Sequence, residues 1–472
     1  MKWIVYNLLF AAVYPFLLPG FLARMLRRGG YAARMRDRFA LYPEGLFGKD
    51  RGLYDSHTDF RRETGDFIWI HAVSVGEVQV AGQLMREWRK VDPDVRFCFS
   101  TTSSTGWKIA EKEFASLNIS PSHPLTLSPS RDVLIYNPLD FPNFVKSALR
   151  TVRPRAIVLT ESEIWPNFIL QAKKMGVPLF LINARVSDRS APRYKAAKLF
   201  FGDVLSCFTK IFAQSDLDRQ RLVAAGAPGD KVEVTGSFKF DVAHRNEAKE
   251  KELREWICAG NGEVGIGNRI LLGGSTWPGE DEVLLSIYKK LLTSSLFPLP
   301  SSLSLVLAPR HFEKADAVEA NIRKYGFACV RRSRGKGLKT EDGRREKVYL
   351  ADTTGELMGL YGIADVVFVG KSLCAHGSQN MIEPCLCGKP TLVGPYTENF
   401  RPVMSDLLAS DAILQVKDAK ELEEKIAELF TSLTSGQETA SPFLGLGARA
   451  KAAVEKRLGV VAKCVAEIRG AL

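Results

Sequence analysis

Short apolar runs alternate with longer amphipathic segments along most of the 472 residues. The apolar runs are rich in β-branched and aromatic residues, and the segments between them have the apolar spacing of helices. This alternation predicts parallel sheets covered by helices. Six strands are predicted in the first half: Phe67–Val73, Val95–Thr101, Ala156–Thr160, Pro178–Asn183, Lys210–Ala213 and Val232–Thr235. Six more are predicted in the second half: Ile270–Gly273, Leu303–Ala308, Ala328–Arg331, Val348–Leu350, Val366–Val369 and Thr391–Val393.

The two series of strands predict an α/β protein with two doubly wound, Rossmann-like domains. The first domain is predicted at residues 27–241 and the second at 269–472, with a charged and then glycine-rich linker at 242–268. The last helix of the chain is a candidate to pack back on the first domain. Ligands of such sheets bind outside the carboxyl ends of the strands. Two domains facing a cleft could therefore bring a donor and an acceptor together.

The amino terminus is a separate feature, because no charged residue occurs from Trp3 to Ala23. About 21 residues would span about 31 Å as a helix, close to the hydrocarbon thickness of a bilayer. Arginines follow at once: Arg24, Arg27, Arg28, Arg34, Arg36 and Arg38. Residues 1–26 are therefore predicted to be a membrane anchor, with the rest of the chain in the cytoplasm. Asn7, Pro15 and Pro19 leave open a helix that lies in the membrane interface.

The net charge of +12 indicates an anionic partner, such as lipid, nucleic acid or a phosphorylated small molecule. Nucleic acid is disfavoured, because no zinc-finger spacing or RNA-binding aromatic motif accompanies the charge. The eight scattered cysteines are typical of free thiols in a reducing compartment. Residues 116–131, 331–347 and 431–442 are polar stretches predicted to be solvated insertions, and the basic middle one could touch anionic lipid.

Acidic and basic side chains follow several strands of the first domain. Glu77, in Ser74-Val-Gly-Glu77, would lie in the first turn of a helix, where the dipole favours an ionised carboxylate. Such a carboxylate could act as a general base, or it could only complement the helix dipole. Glu161 and Glu163 flank Ser162 where another strand ends. Asn183-Ala-Arg185 and Gly236-Ser-Phe-Lys239 could each present a cation or an amide to a negative ligand.

In the second domain, four strand ends carry groups that suit a nucleotide. Arg310 could bind a phosphate through its guanidinium fork, and Thr354 with Gly355 offers hydroxyl and backbone N–H donors. Gly370-Lys-Ser follows a third strand. His376 to Glu383 predicts a loop entering a helix, whose first N–H groups could bind phosphate. Asn380 and Glu383 would share one face there and could bind ribose hydroxyls.

Eight segments together resemble the 3-deoxy-D-manno-octulosonic acid (Kdo) transferases of Gram-negative bacteria. They are HAVSVGE (71–77), ESEIWPN (161–167), NARVSDRS (183–190), GSFKFD (236–241), APRH (308–311), DTTGELMGLYGIADVVFVGKSL (352–373), QNMIEP (379–384) and VGPYTENF (393–400). The resemblance implies a GT-B fold at the cytoplasmic side of the bacterial inner membrane, with no metal or other cofactor. It also implies CMP-Kdo as the donor and a lipid A precursor, lipid IVA, as the acceptor.

By the same resemblance, Glu77 matches the general base, and Glu161 and Lys239 match residues that support the transition state. The CMP-binding segments match Pro309, Arg310, Thr354, Gly355, Glu356, Asn380, Met381, Ile382 and Glu383. The chain departs from the family in having Gln379 where a histidine is common. Glutamine still forms hydrogen bonds but does not titrate near neutral pH.

The expected reaction is displacement with inversion at the sugar's ketosidic carbon. Three alternatives stay open at this point. A related transferase could use a UDP sugar, a sugar-nucleotide epimerase would need no lipid acceptor, and a membrane scaffold would need no acids at strand ends. Oligomeric state, the number of Kdo units added and the acceptor's acyl pattern do not follow from the sequence.

Overall fold

The computed structural model describes residues 2–8, 10–13, 16, 20, 32–47, 65–117, 132–241, 246–259, 268–293, 302–335, 346–434, 443 and 445–472. Its contacts divide the chain into two compact units. The first unit comprises Met1–Lys239 and Gly459–Leu472, and the second comprises Phe240–Leu458. The last helix of the chain thus belongs to the first unit.

The first unit contains a parallel sheet of seven strands in the order β3-β2-β1-β4-β5-β6-β7. The strands are β1 Phe67–His71, β2 Arg96–Thr101, β3 Val133–Tyr136, β4 Pro154–Thr160, β5 Leu179–Ala184, β6 Lys210–Ala213 and β7 Val232–Val234. Its helices are α1 Val75–Val91, α2 Ser104–Leu117, α3 Pro142–Val152, α4 Pro166–Lys174, α5 Ala191–Ala196, α6 Lys198–Ser206 and α7 Asp216–Ala224. Short 3₁₀ helices occur at Ala32–Phe39, Gly229–Lys231 and Phe238–Phe240, the last at the junction of the two units.

The second unit also contains a parallel sheet of seven strands, in the order β10-β11-β9-β8-β12-β13-β14. The strands are β8 Asn268–Thr276, β9 Ser302–Pro309, β10 Ala328–Arg331, β11 Lys347–Leu350, β12 Val366–Val369, β13 Thr391–Val393 and β14 Leu414–Gln415. Its helices are α8 Glu247–Ala259, α9 Glu280–Thr293, α10 Ala315–Lys324, α11 Leu357–Ile363, α12 Ile382–Leu386, α13 Arg401–Ala409, α14 Ala419–Thr434 and α15 Leu446–Glu455. Short 3₁₀ helices occur at Phe312–Lys314, Arg332–Arg334 and Glu398–Phe400.

Each sheet separates two apolar layers, because successive side chains of a strand point to opposite faces. In β1, Phe67 and Trp69 enter one core of the first unit, and Ile68 and Ile70 enter the other. All four are at most 1% exposed. Burial on both faces explains why the strands are continuous apolar runs, and the prediction of two doubly wound α/β domains is confirmed.

The carboxyl-terminal helix α16, Val460–Gly470, covers the second of these cores. Its buried face of Val461, Cys464 and Ile468 packs beside the apolar face of α1. On its outer side, Glu467 accepts a hydrogen bond from Lys210 at 2.7 Å. The helix therefore covers the sheet beside α1, the helix that carries Glu77.

All twelve predicted strands are present, with ends within three residues of the prediction. Two further strands were missed. Val133–Tyr136 follows a polar stretch and has only four residues, and Leu414–Gln415 has only two. The second is too short to show the periodicity of a strand. The first is as long as the predicted strand Lys210–Ala213 but was not recognised next to the polar stretch that precedes it.

The predicted anchor lies partly outside the described residues, since 9, 14, 15, 17–19 and 21–31 are not described. Within the described ranges, no helix combines the length and the apolar character needed to cross a membrane. The described part of this segment packs on the first unit. The ring of Trp3 lies 4.5 Å from that of Phe200, and Asn167 Nδ2 donates to Asn7 Oδ1 at 2.8 Å.

The prediction that residues 331–347 are a solvated insertion needs correction at its start. Arg331 ends β10, as the predicted strand Ala328–Arg331 has it, and its side chain donates to Asp352 at 2.7 Å instead of lying in solvent. Residues 336–345 of that stretch lie outside the described part of the chain. Arg38, one of the arginines after the predicted anchor, is 4% exposed and donates to the carbonyl oxygen of Thr102 at 2.6 Å.

Candidate functional site

The carboxyl ends of β1 and β4 form one side of the candidate site in the first unit. These strands are neighbours, and the chain leaves them toward opposite sides of the sheet order. Such a switch point is where doubly wound sheets bind ligands. Glu77 follows β1, Glu161 and Glu163 follow β4, and Lys239 lies beyond β7. The fold thus brings Glu77, Glu161 and Glu163 to the carboxyl ends of two neighbouring strands.

Glu77 has a clear local role at the start of α1. Ser74 is the N-cap residue, and its hydroxyl accepts a hydrogen bond from the N–H of Glu77. In return, Glu77 Oε2 accepts from the N–H groups of Val73 and Ser74 at 2.8 and 3.3 Å. This is a capping box, the arrangement that Ser-x-x-Glu favours. The interpretation that Glu77 lies in the first turn of a helix is therefore correct.

The capping box does not use the whole carboxylate of Glu77. Oε1 accepts one hydrogen bond, from the Ser74 hydroxyl at 3.0 Å. A carboxylate offers about four acceptor positions, so one on Oε1 is left after these three bonds. The side chain is 8% exposed. The arrangement thus fixes the carboxylate in place while leaving Oε1 able to accept a proton.

Glu161 is held in an unusual conformation beside this carboxylate. Its φ is +50°, in the left-handed region that few residues other than glycine adopt. Burial raises the pKa of Glu161, against the lowering effect of Arg185, while Glu77 raises it and Lys239 lowers it. These interactions show that the two acids and two cations share one electrostatic environment. For the cation Lys239, burial lowers the pKa, and the negative charge of Glu161 opposes that shift.

Asn183 connects Glu161 to the segment of Lys239. It is the penultimate residue of β5, has a φ of +52° and is fully buried. Its Nδ2 donates to Glu161 Oε1 at 3.3 Å, and its Oδ1 accepts from the N–H of Phe238 at 3.1 Å. The amide therefore sets the position of the acid relative to the segment that carries the cation.

Glu163 and His71 form a further polar pair at the same edge. Trp165 Nε1 donates to Glu163 Oε2 at 2.9 Å, and His71 Nε2 lies 3.8 Å from that oxygen. Burial, with a contribution from Glu77, raises the pKa of Glu163 to about 7. Burial also lowers the pKa of His71 to about 3. Both side chains are thus neutral over part of the physiological pH range.

In the second unit, a cavity of about 130 Å³ lies at the carboxyl ends of β8, β9 and β11. Five predicted nucleotide-binding residues line it: Pro309, Arg310, Thr354, Gly355 and Glu356. Gly355 has φ of +81°, which a turn at this position requires. Arg310 is exposed, and its backbone N–H donates to Thr276 at 3.0 Å. The fold thus gathers these residues around one opening.

Asn380, Met381, Ile382 and Glu383 lie outside that list of lining residues, at the start of α12. Asn380 Oδ1 accepts from the N–H of Ile382 at 3.1 Å, and its Nδ2 donates to Glu383 Oε1 at 3.0 Å. The predicted helix is present but has only five residues, Ile382–Leu386. Burial raises the pKa of Glu383, while Arg310 lowers it, which places the two predicted segments near one another.

Glu356 is tied to other side chains of the second unit. Arg332 Nη2 donates to its Oε1 at 2.9 Å, Lys249 Nζ lies 2.6 Å from the same oxygen, and the Thr353 hydroxyl donates to Oε2. Although burial opposes the shift, hydrogen bonds from these three groups lower the pKa of Glu356 to about 2. A bound nucleotide would compete with three internal partners for this carboxylate.

Glu356→Gln is expected to destabilise the second unit by about 1–2 kcal/mol at neutral pH, because it weakens charge-assisted hydrogen bonds. The pKa is about 2 in the folded state and 4.5 as the reference value. The contribution is therefore complete above pH 4.5 and is lost as pH falls toward 2. Urea denaturation at neutral pH and at about pH 3 would measure both effects. Glu252→Gln, which changes an acid that binds the same cations and whose side chain is 43% exposed, should have little effect. An equal loss of stability for both variants, or a loss that persists at low pH, would contradict this.

The segment Gly370-Lys-Ser, predicted to suit phosphate, instead surrounds a carboxylate of the protein. Glu280 is fully buried and accepts hydrogen bonds from the N–H groups of Lys371 at 2.8 Å and Ser372 at 3.1 Å. It also accepts from Leu373 at 3.0 Å. These donors are satisfied within the unit, so the prediction that this segment is free to bind phosphate was wrong.

A second cavity, of about 300 Å³, lies between the first turns of α9 and α10. It shares Pro309 with the smaller cavity but includes none of the other predicted residues. Within the described ranges, no group of three or more His, Cys, Asp or Glu residues is placed to hold a metal ion. The expectation that the reaction needs no metal stays a prediction.

Sequence reasoning did not assign roles to His71 and Asn183. His71 occurred only within the first matching segment, and Asn183 was noted only as an amide at a strand end. The paired appearance of Asn183 and Glu161 at strand ends was the available signal. Their contact depends on β4 and β5 being neighbours.

Comparisons with known proteins identify the family and the fold of the chain. The family described as 3-deoxy-D-manno-octulosonic-acid transferase (kdotransferase) matches residues 33–242. A solved structure of Alr3699/HepE from Anabaena in complex with UDP has a TM-score of 0.52 and 13% identity. The match covers 86% of this chain and all of that one. At that identity the likeness concerns the fold, which is of the GT-B glycosyltransferase type.

Two relatives match by sequence over most of the chain. A bifunctional glycosyltransferase/methyltransferase of Fusobacterium nucleatum is 28% identical over 396 residues, and the chain spans 57% of that longer protein. The 3-deoxy-D-manno-octulosonic acid transferase of Haemophilus influenzae is 30% identical over 418 residues, covering 86% of each chain. On that similarity, the chain belongs to the 3-deoxy-D-manno-octulosonic acid transferase family and is a glycosyltransferase.

Proposed function

We propose that this glycosyltransferase moves Kdo from CMP-Kdo to a lipid A precursor, lipid IVA, with inversion at the ketosidic carbon. The observation that carries the proposal is that, in a member of this family, each of the two units has a polar site at the carboxyl ends of its strands. One site holds a fixed carboxylate, Glu77, beside Glu161 and Lys239. The other holds an exposed arginine at a cavity lined by the predicted nucleotide-binding residues.

The second unit supports a role in donor binding. Arg310 is exposed at the cavity and can bind the phosphate through two N–H groups. The cavity of about 130 Å³ is well below the roughly 300 Å³ of a typical ligand site, so it would receive one part of CMP. The rest would lie over the exposed residues Thr354 and Gly355.

The first unit supports a role in activating the acceptor. Glu77 Oε1 would take the proton of the acceptor hydroxyl as that oxygen bonds to the ketosidic carbon. The bond from this carbon to the CMP phosphate oxygen then breaks, and CMP leaves as an anion. Lys239 and Arg185 would offset the negative charge of the donor's sugar carboxylate and of Glu161. Phosphate is already a good leaving group, so no general acid is required.

The membrane part of the proposal rests on exposed apolar residues of the first unit. Phe16 is 84% exposed and Leu199 is 87% exposed, and Leu8 adds a third such side chain. A lipid surface would cover residues of this kind. The amino-terminal segment would then anchor the protein to the cytoplasmic face of the bacterial inner membrane, near its lipid acceptor.

Binding of CMP and UDP to the full chain distinguishes this proposal from a transferase that uses a UDP sugar. Isothermal titration calorimetry should give a dissociation constant for CMP at least about tenfold lower than for UDP, because the proposed site is built for a cytidine monophosphate. Equal binding, or tighter binding of UDP, would favour the alternative. The epimerase and scaffold alternatives are set aside, because the family is one of transferases.

A further inference from the structure

The pair of His71 and Glu163 lies beside Glu77, but the transfer reaction proposed for the protein does not use it. His71 is on β1 and its side chain is fully buried, whereas the side chain of Glu163 is 16% exposed. Histidine Nε2 and Glu163 Oε2 are 3.8 Å apart, which is too long for a hydrogen bond but leaves no room for a third group between them. The protonation of this pair can be deduced from its neighbours.

The neighbours of Nδ1 decide which nitrogen of His71 carries the proton. Nδ1 lies 3.0 Å from the carbonyl oxygen of Ser100 and 2.9 Å from the Ser100 hydroxyl oxygen. A carbonyl oxygen can only accept, and the hydroxyl donates its proton to Asn137 Oδ1 at 3.2 Å. Both atoms therefore accept from Nδ1, which must carry the proton. In the neutral ring, Nε2 then carries no proton and presents its lone pair as a hydrogen-bond acceptor.

This lone pair has no hydrogen-bond partner among the described residues, although the atom is fully buried. The Glu163 carboxyl faces it, with Oε2 at 3.8 Å. If Glu163 were ionised, its carboxylate and His71 Nε2 would both be acceptors, and the buried Nε2 would have no donor. A protonated carboxyl that moves from 3.8 Å to within about 3.2 Å of Nε2 can donate its O–H to it. The same oxygen can still accept from Trp165 Nε1.

We propose that Glu163 is a positioning residue that works as a neutral carboxylic acid, whose O–H donates a hydrogen bond to His71 Nε2. Because the acid is neutral, it adds no third negative charge beside Glu77 and Glu161. This rests on the proposed transfer reaction, whose base is Glu77. The bond would join β1 to the turn after β4. Because that turn also carries Glu161, the neutral pair would hold Glu161 and Glu77 in a fixed relation.

The charged and titratable groups around Glu163 agree with a neutral acid. His71 faces it from β1 and Glu77 from the start of α1, while Glu161 lies in its own turn and Tyr194 on α5. The nearby cations, Arg185 and Lys239, interact with Glu161, and Glu163 shows no such interaction with either. Burial accordingly raises the pKa of Glu163 to about 7.

Loss of this proton would place a third anion beside Glu77 and against the lone pair of His71. The repulsion would move the turn of Glu161 away from β1. The turnover number should therefore fall as pH rises through about 7, the pKa of Glu163 in the folded protein. For a single proton, the fall is about tenfold for each pH unit above the midpoint.

Infrared spectroscopy of the full chain tests the protonation without any substrate. The difference spectrum of wild type minus Glu163→Gln at about pH 6 should contain the carbonyl band of one protonated carboxylic acid. That band should disappear as pH rises through about 7. A carboxylate band in its place at pH 6, as in a His71 imidazolium paired with an ionised Glu163, would overturn the proposal. This result is independent of whether the protein transfers Kdo.

The pH dependence of kcat tests the role in positioning. Glutamine is neutral, has the size of glutamic acid and can donate an N–H to His71 Nε2, although its amide nitrogen cannot accept the bond from Trp165 Nε1. Glu163→Gln should keep kcat within about threefold of wild type at pH 6 and stay level at about pH 8, where wild type has fallen about tenfold. Ser162→Ala, which changes the exposed neighbour in the same turn, should keep the wild-type profile. A folded Glu163→Gln protein that is inactive at pH 6, or that keeps the wild-type decline, would overturn the proposal.

Discussion

Glu77→Gln is expected to lower kcat by about 10²–10⁴-fold, because glutamine cannot take the proton of the acceptor hydroxyl. The Michaelis constant for CMP-Kdo should change little, since Glu77 lies in the first unit and the donor is assigned to the second. Steady-state assays with CMP-Kdo and a lipid A precursor would measure both quantities. Turnover near that of wild type would contradict the assignment of Glu77 as the base.

The capping box makes a control necessary, because Glu77→Gln also disturbs the start of α1. Ser74→Ala removes the capping hydroxyl but keeps the carboxylate. It should cost about 0.5–2 kcal/mol of stability, as the loss of an N-cap usually does. Its kcat should stay within about tenfold of wild type. If both variants lose activity in proportion to their loss of stability, Glu77 acts only as a cap.

Arg310→Met is expected to raise the dissociation constant of CMP by about 10–100-fold. The change removes charge-assisted hydrogen bonds to the phosphate, which are worth about 1.5–3 kcal/mol, while keeping an unbranched side chain of similar length. Calorimetric titration with CMP would measure the loss. Because Arg310 is exposed, the variant should fold normally.

Lys314→Met is the matched control for charge, since it removes one cation from the same unit beside the larger cavity. Its affinity for CMP should be unchanged. An equal loss for both variants would indicate attraction by the general positive field rather than a phosphate contact. Wild-type affinity in Arg310→Met would remove Arg310 from the site.

Most of the fold follows from the sequence, because strands buried on both faces must be apolar at every position. Runs such as Phe67 to Ile70 and Leu179 to Ile182 are therefore visible without any alignment. Val133–Tyr136 was missed although the predicted strand Lys210–Ala213 is equally short, because it directly follows a polar stretch of the sequence. The order of the strands, by contrast, depends on packing between segments that are far apart in the chain.

The candidate site was only partly predictable for the same reason. The spacing of Ser74 and Glu77 is local, and it identifies a helix start. The role of Glu280 is not local, since it accepts from Lys371, 91 residues away. A buried carboxylate there occupies N–H groups that, from sequence, suit a phosphate. The pairing of His71 with Glu163 likewise requires β1 and β4 to be adjacent, which no pattern along the chain specifies.

Arginines were the other source of error. Arg331 was predicted to open a solvated basic stretch, yet it donates hydrogen bonds inside its unit, as the buried Arg38 also does. A run of charged residues in the sequence does not show which of its side chains bond to buried groups in the folded protein. Part of the net charge of +12 is therefore unavailable to a membrane.

The mass spectrum of the lipid product tests the central claim most directly. Purified full-length protein, CMP-Kdo and lipid IVA should give a lipid heavier by one or more Kdo residues, with one CMP released for each residue added. The product should be absent when Glu77→Gln replaces the wild-type protein over the same time. An unchanged lipid with wild-type protein, or transfer of a sugar from a UDP donor instead, would contradict the claim.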